Sequence, residues 1–338
     1  MGGDVKAERT KDATDSGAAR AKDDLHVVIL AGGLSHERDV SLRSGRRVAE
    51  SLRETGVRVT VRDVDSRLLP LLAEERPDVV WPLLHGSTGE DGSIRSLLEL
   101  LELPYVGSDA AASRVASRKP VAKGLVADAG LATPGSVALP QSLFRELGAQ
   151  GVLDAVLGSL GLPLVVKPAD GGSALGVTFV RSAAELPGAM VACFAYGDLA
   201  LIERAVTGTE VAVSVVDLGD GPRALPPVEI VTDGPYDYDA RYNPGRTEYF
   251  VPARLDEEQC RTVCEAAVTA HRALGLRDLS RTDMILDDEG TAWFIDMNVA
   301  PGMTETSLFP QAALAEAGAG GMGVAELYRA LVVRAAGA

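Results

Sequence analysis

From residue 26 onward the chain alternates short apolar runs with segments whose apolar residues recur at helical spacing. His26–Ala31 (HVVILA) reads as a buried strand, Ser44–Arg53 as an amphipathic helix, Val57–Val64 (VRVTVRDV) as an alternating strand and Asp78–Leu84 as another buried strand. Helices follow at about 93–102 and 111–129, the second closed by Gly130 and then Pro134. Strand and helix in alternation predict a parallel sheet with covering helices. Beyond residue 120 the pattern changes. Strands are predicted at Leu164–Lys167, Val177–Val180 and Leu199–Glu203, with a glycine loop at Ala169–Gly176 and a helix near 183–193. From about 207 come strands at 210–217 and 225–230, a tyrosine-rich loop at 236–249, a helix at about 256–274, and strands at 282–287 and 292–297. The turn Asp287-Asp288-Glu289-Gly290 makes the last two a hairpin.

Composition narrows the classes. The chain has 338 residues, 46% hydrophobic and 24% charged, which suits about two to three globular domains. No apolar run approaches the roughly 18 residues of a membrane span, and residues 1–24 are polar, without the apolar stretch of a signal peptide. We read 1–24 as a disordered leader. Cys193, Cys260 and Cys264 make neither a disulfide framework nor a CxxC pair, which fits a reducing cytoplasm. A net charge of −15 disfavours nucleic acid as a partner. An anionic substrate would therefore need locally concentrated cations or metal ions.

The cations are unevenly chosen. Of 33 basic residues only Lys6, Lys11, Lys22, Lys119, Lys123 and Lys167 are lysines, and the first three lie in the leader. Arginine replaces lysine readily on solvated faces, less readily where a compact ammonium must fit among phosphates. Lys119, Lys123 and Lys167 are therefore candidates.

Four segments carry candidate chemistry. Ala31-Gly32-Gly33-Leu34-Ser35-His36-Glu37-Arg38 follows the first strand, where glycines let backbone approach an anion and Glu37 could hold an amine; the spacing is not GxGxxG, which weakens a dinucleotide reading. His85-Gly86-Ser87-Thr88-Gly89-Glu90-Asp91-Gly92 is more polar than a simple turn requires, although a helix-capping loop with a structural histidine would look similar. Lys167 ends an apolar strand before the glycine loop, an arrangement in which backbone amides and the Ser173 hydroxyl can close over phosphate oxygens; a plain glycine-rich hairpin is the alternative. Asp283 and the pair Asp296 and Asn298 lie on adjacent strands and offer hard oxygen ligands of the kind Mg²⁺ takes.

Together, AGGLSHERDVSL, HGSTGEDG, LPYVGS, VVKPADGGSALGV, LIERAVTGTEV, YDYDARY, RTDMIL and MNVAPGMTETSLFP resemble, in order and spacing, the D-alanine–D-alanine ligases of the ATP-grasp superfamily over residues 26 to about 318. The resemblance implies an α/β ATP-grasp fold. Its expected parts are an N-terminal Rossmann-like domain (25–118), a central lid domain (119–206) and a C-terminal catalytic domain (207–338). It also implies a cytoplasmic, ADP-forming ligase for peptidoglycan precursors, commonly homodimeric and inhibited by D-cycloserine. The substrates would be D-alanine and ATP, the cofactor Mg²⁺ or Mn²⁺, with two ions expected. The first D-alanine's carboxylate attacks the γ-phosphate, and the second one's amine displaces phosphate from the acyl phosphate.

Residue roles follow from the matched motifs. Lys119, Lys167 and Arg241 are expected at the phosphates, with Ser173 in the loop above them. Glu203, Ala205 and Val206 would read adenine, and Glu210 the ribose. Asp283, Asp296 and Asn298 would hold the metal. Arg281 and the Gly302 amide would stabilise the oxyanion. Glu37, helped by His85, would orient the first D-alanine, and Ser307 and Leu308 would receive the second one's carboxylate. Tyr242, with Glu37 and Ser173, would form the triad of dipeptide-forming members. Tyr236, Tyr238, Tyr242 and Tyr249 cluster in the segment expected to be the lid.

Asp296 stands where the family usually has Glu, and Arg204 and Arg241 where it usually has Lys. These departures keep open a ligase that couples a different D-amino or hydroxy acid in antibiotic biosynthesis or self-resistance. A dehydrogenase, resting on the first strand and its glycines, and a non-catalytic nucleotide-binding protein are the readings from other classes.

Overall fold

The computed structural model describes residues 25–172, 174–232 and 247–337. The leader, Ser173, Arg241 and three of the tyrosines, Tyr236, Tyr238 and Tyr242, lie outside the described residues.

Three sheets follow one another along the chain. The first is parallel, in order β2-β1-β3, from β1 (His26–Leu30), β2 (Arg58–Arg62) and β3 (Val79–Pro82). β1 is buried throughout because it is the middle strand, covered on both faces. The helix Arg38–Glu54 begins six residues before the predicted Ser44. Its first turns escape an apolar pattern because the buried positions there include serines: Ser41 Oγ accepts from the Gly32 amide at 2.8 Å and donates to the Leu83 carbonyl at 2.6 Å. Gly45 lets this helix lie close, since a Cβ there would meet the Ala31 Cβ at 2.5 Å.

The predicted helix over 111–129 is two helices, Ala110–Ala116 and Lys119–Asp128. Pro120 disfavours a helical conformation before it and is tolerated only in a first turn, so the chain breaks at Ser117-Arg118 and restarts with Lys119 at a helix head. The helix Leu68–Glu75 also lacked a legible signal.

The second sheet is antiparallel, β4-β7-β5-β6, from β4 (Ser136–Pro140), β5 (Leu164–Pro168), β6 (Thr178–Val180) and β7 (Leu199–Arg204). β4 and the helices Gln141–Leu147 and Ala149–Leu160 fill the stretch between Pro134 and β5, for which no element was predicted. Leu164, Val166, Val180 and Ile202 pack under the helices Ala149–Leu160 and Leu186–Phe194. By the two-residue period of a strand, Val165, Lys167 and Glu203 face the other way.

The third sheet runs β11-β10-β8-β12-β13, with β9 on β8: β8 (Thr209–Val216), β9 (Arg223–Ala224), β10 (Val228–Thr232), β11 (Thr247–Phe250), β12 (Leu279–Leu286) and β13 (Ala292–Asn298). The strand expected at 225–230 begins only at Val228, as β10, because Pro226-Pro227 cannot donate to a ladder, and the short β9 lies before those prolines. The β12–β13 hairpin forms as predicted, with Gly290 at φ 82° and its amide donating to the Asp287 carbonyl at 3.0 Å. Val211, Val213 and Val215 pack toward Val263, Ala266 and Ala267 of the helix Glu257–Ala273. Ala122 and Val126 of the helix Lys119–Asp128 pack with Phe294 and Met297 of β13. Among the described residues no helix is long and apolar enough to cross a membrane.

One core joins the first sheet to the third. It runs from Val27, Ile29 and Trp81 through Phe309 of the helix Leu308–Gly318 and Tyr328 of the helix Val324–Ala336 to Ala212 and Val216. Trp81 and Tyr328 meet edge to face, with centroids 5.5 Å apart. Trp81→Ala is expected to lose about 3–5 kcal/mol, the usual cost of an emptied aromatic site. Urea unfolding monitored by circular dichroism would measure it.

Candidate active site

The uncovered face of the second sheet lies opposite the third sheet, and the cleft between them is lined by both. Val165, Val177, Phe179 and Val206 on one side, with Met284, Ile285 and Ile295 on the other, enclose an apolar slot of about 210 Å³. Lys167, Glu203 and Glu210 are among its polar groups, and Lys119, Asp170, Asp283 and Asp296 line it as well. Apolar walls with polar groups beside them suit a nucleobase and ribose. Val206 lines the slot as expected, whereas Ala205 does not, and its amide donates to the Pro163 carbonyl at 3.0 Å. The Arg204 guanidinium turns away to the Leu160 carbonyl, 3.0 Å distant.

At one end of the slot Glu203 is buried between two lysines. Lys167 Nζ lies 2.5 Å from Oε2, while Lys123 Nζ donates to Oε1 and, at 3.1 Å, to the Pro134 carbonyl. Burial alone would push the Glu203 carboxyl up, but the ammonium groups of Lys167 and Lys123 outweigh it and hold it below its ordinary value. Burial pulls Lys123 below its ordinary value despite that carboxylate. Of the two lysines only Lys167 lines the slot, where its ammonium is placed to meet an anion. Lys123, the candidate lysine to which the matched motifs assign no role, is 4% exposed.

Next to the slot a second cavity, about 290 Å³, is lined by Glu90, Arg118, Lys119, Asp170, Gly171, Gly172, Arg281, Asp296 and Asn298 among others. Lys119 Nζ donates to the Gly171 carbonyl at 2.7 Å and lies 3.2 Å from Asp296 Oδ2, so it ties the glycine loop to β13. Strand register brings the acidic groups together. Asp283 pairs with Asp296 and Arg281 with Asn298, so all four side chains share one face. Arg281 grips Asp283 with its fork at 2.6 and 2.8 Å. Among the described residues no three His, Cys, Asp or Glu side chains could hold a metal by themselves. Two carboxylates and the Asn298 carbonyl are nonetheless hard oxygen donors, and they fit a Mg²⁺ whose shell is completed by substrate phosphates.

A third cavity, about 90 Å³, is lined by Glu37, Arg43, His85, Glu90, Tyr249, Arg281, Gly302, Thr304, Thr306, Ser307 and Leu308. Gly86, at φ +83°, leaves room for Glu37, since a Cβ there would sit 2.9 Å from Glu37 Oε2. His85 is pushed down to about 4 by burial and is neutral at pH 7. Its Nε2 lies 3.3 Å from Ser44 Oγ and its Nδ1 3.1 Å from the Ala300 carbonyl. Because Ser44 Oγ also accepts from the Met303 amide, its proton can go to Nε2, leaving Nδ1–H for Ala300. Both ring nitrogens are thus used in holding the loop after β13, and His85 contributes by position. Ser307 precedes the helix Leu308–Gly318 without capping it by a side-chain bond. That N-terminus therefore offers amides and a positive dipole end to a carboxylate.

The structure thus brings Glu37, His85, Lys119, Lys167, Glu203, Val206, Glu210, Arg281, Asp283, Asp296, Asn298, Gly302, Ser307 and Leu308 onto three adjoining cavities. Ser173, Arg241 and Tyr242 lie outside the described residues. Sequence reasoning gave Asp170 and Glu90 no role at the site, and it flagged Lys123 by the scarcity of lysine without assigning it one. For Glu90 a signal existed, its place in HGSTGEDG. The carboxyl is pushed up to about 7, chiefly by burial and then by the charge of Glu37.

Comparison with known proteins gives a consistent result. A family profile described as "D-ala D-ala ligase C-terminus" matches residues 125–332, and one described as "D-ala D-ala ligase N-terminus" matches residues 71–108. The D-alanine--D-alanine ligase of Anaeromyxobacter dehalogenans is 43% identical over 288 residues, covering 85% of this chain and 90% of its own. That of Gloeobacter violaceus is 41% identical over 296 residues, covering 86% and 94%. The D-alanine--D-alanine ligase of Bacillus anthracis complexed with ATP is similar in structure, with TM-score 0.76 and 25% identity over 92% of this chain and 97% of that one. The VanG D-Ala:D-Ser ligase of Enterococcus faecalis gives TM-score 0.76 and 26% identity over 91% and 98%.

Glu90 sets a pH dependence. A carboxyl raised from 4.5 to about 7 holds its proton more tightly in the folded chain, so its contribution to stability falls as pH rises through that window. Glu90→Gln should remove this component. The melting temperature of the variant relative to the parent is expected to rise between pH 5 and pH 7.5, and differential scanning fluorimetry across that range checks it.

Proposed function

The chain belongs to the D-alanine–D-alanine ligase family, and from that membership we propose that it joins two D-alanines at the expense of ATP, for peptidoglycan precursor synthesis. The observation that carries this reading is the continuity of the three cavities. The nucleotide slot shares Lys119, Gly171, Gly172 and Asp296 with the middle cavity, which shares Glu90, Arg281 and Asn298 with the third. A triphosphate lying along them would present its γ-phosphate toward the pocket that holds Glu37.

The charges then assign the work. Glu203 accepts from the adenine amino group beside Val206, and Glu210 from the ribose. Lys119 and Lys167 take phosphate oxygens and offset the repulsion between a carboxylate and a triphosphate. Asp283, Asp296 and Asn298 would hold Mg²⁺, which supplies further charge neutralisation when bound. Glu37 holds the first D-alanine by its ammonium, leaving its carboxylate to attack the γ-phosphate with ADP leaving. Arg281 and the Gly302 amide donate to the oxyanion formed when the second amine, its ammonium proton passed to solvent, attacks the acyl carbon, and collapse of that intermediate breaks the C–O bond and releases inorganic phosphate. Ser307 and the amide of Leu308 bind the second carboxylate at the helix N-terminus. Ser173, Arg241 and Tyr242 are assigned by motif alone. A cytoplasmic homodimer sensitive to D-cycloserine completes the proposal. Exposed Leu97, Leu100 and Leu101 mark an apolar patch on the first unit that a second copy could cover.

A second reading, transfer to a different D-amino or hydroxy acid, draws on Asp296 and on the hydroxyls of Thr304, Thr306 and Ser307 along the acceptor side. Incubation with ATP and D-alanine, alone or with D-serine or D-lactate, followed by mass spectrometry, separates the two. D-alanyl-D-alanine is expected to dominate and to form with equimolar ADP. A dominant mixed product, with little D-alanyl-D-alanine, would transfer the assignment to the second reading.

A further inference from the structure

Glu203 has two partners where its assigned task needs one free oxygen. Lys123 binds Oε1 from the side away from the nucleotide and does not line the slot, whereas Lys167 and Glu203 both do. A second bond, to the Pro134 carbonyl at 3.1 Å, anchors the same ammonium to the chain just before β4. Lys167 is held on the open side, 2.5 Å from Oε2 and 3.3 Å from the Ile295 carbonyl. The side chains of Lys123 and Glu203 are 5% and 3% exposed, so water is a poor substitute for either.

We propose that Lys123 is a positioning residue for nucleotide recognition: it holds Glu203 from behind, so that Lys167 can exchange that carboxylate for phosphate while Oε2 turns to the adenine amino group. The inference rests on the assignment of Glu203 to adenine and of Lys167 to phosphate. With a single lysine, release of Lys167 to the phosphates would leave a buried carboxylate with no cation. With two, Glu203 keeps one cation when Lys167 moves to the phosphates, and the phosphate oxygens take the place of the carboxylate on Lys167. Lys123 also fixes the direction of the carboxylate, because its own ammonium is tied to the Pro134 carbonyl.

The test compares ATP with purine riboside 5′-triphosphate, which lacks the 6-amino group. The unmodified enzyme is expected to show a KM for ATP at least about tenfold lower than for the analogue, as loss of a hydrogen bond to a charged group implies. In Lys123→Met the preference should fall to within about threefold through a rise in the KM for ATP, with the KM for D-alanine changed less than about twofold. Should Lys123→Met not fold, Lys123→Gln, which keeps a donor without the charge, carries the same comparison. A folded variant that prefers ATP as strongly as the parent, or whose KM values for ATP and D-alanine rise together, would overturn the inference. An unmodified enzyme that uses both nucleotides equally would instead overturn the assignment of Glu203 to adenine, and the inference with it.

Discussion

A carboxylate buried between two ammonium groups is the constraint around which the cleft is arranged. Lys123, Glu203 and Lys167 come from a helix, β7 and β5, so their pairing draws together the helix Lys119–Asp128 and the second sheet. That helix also packs on β13, and Lys119 at its head touches Asp296 and the glycine loop. The two sheets that form the apolar slot are thus coupled through these charged side chains. Removing one partner of a buried pair costs about 3–5 kcal/mol, far more than the same pair contributes at a surface.

At the far end the same economy of neutral and charged groups holds. His85 is kept neutral and uses both ring nitrogens to dock the loop after β13 onto the first unit. Ser44 and Gly86 serve that docking, one as a hydrogen-bond relay and the other by leaving space for Glu37. The third cavity is therefore built across the junction of first and third sheets, whose common core runs through Trp81, Tyr328 and Phe309. Deforming that core would shift Glu37 relative to Arg281.

Much of this was legible in the residues. β1, β5, β7 and the β12–β13 hairpin announce themselves through apolar runs and turn chemistry, and the ordered motifs carry the family. What was not legible depends on distance in sequence or on prolines. The break before Lys119 is made by Pro120, and the late start of β10 by Pro226-Pro227, local effects that an apolar pattern does not register. Lys123 is 80 positions from Glu203, so nothing in the linear order says that it is buried rather than solvated. The ties of His85 to Ser44 and Ala300 span 41 and 215 positions, so the sequence left a structural histidine and a substrate-facing one both open. The scarcity of lysine was a better guide, since Lys119, Lys123 and Lys167 all lie at the nucleotide cleft or directly behind its wall.

The central claim is that the three cavities bring a carboxylate onto the γ-phosphate of ATP. D-alanine labelled with ¹⁸O in both carboxylate oxygens, turned over with unlabelled ATP, tests it most directly through the mass of the released phosphate. Passage through an acyl phosphate predicts one ¹⁸O in each inorganic phosphate formed. Phosphate released without label during dipeptide synthesis would contradict the account.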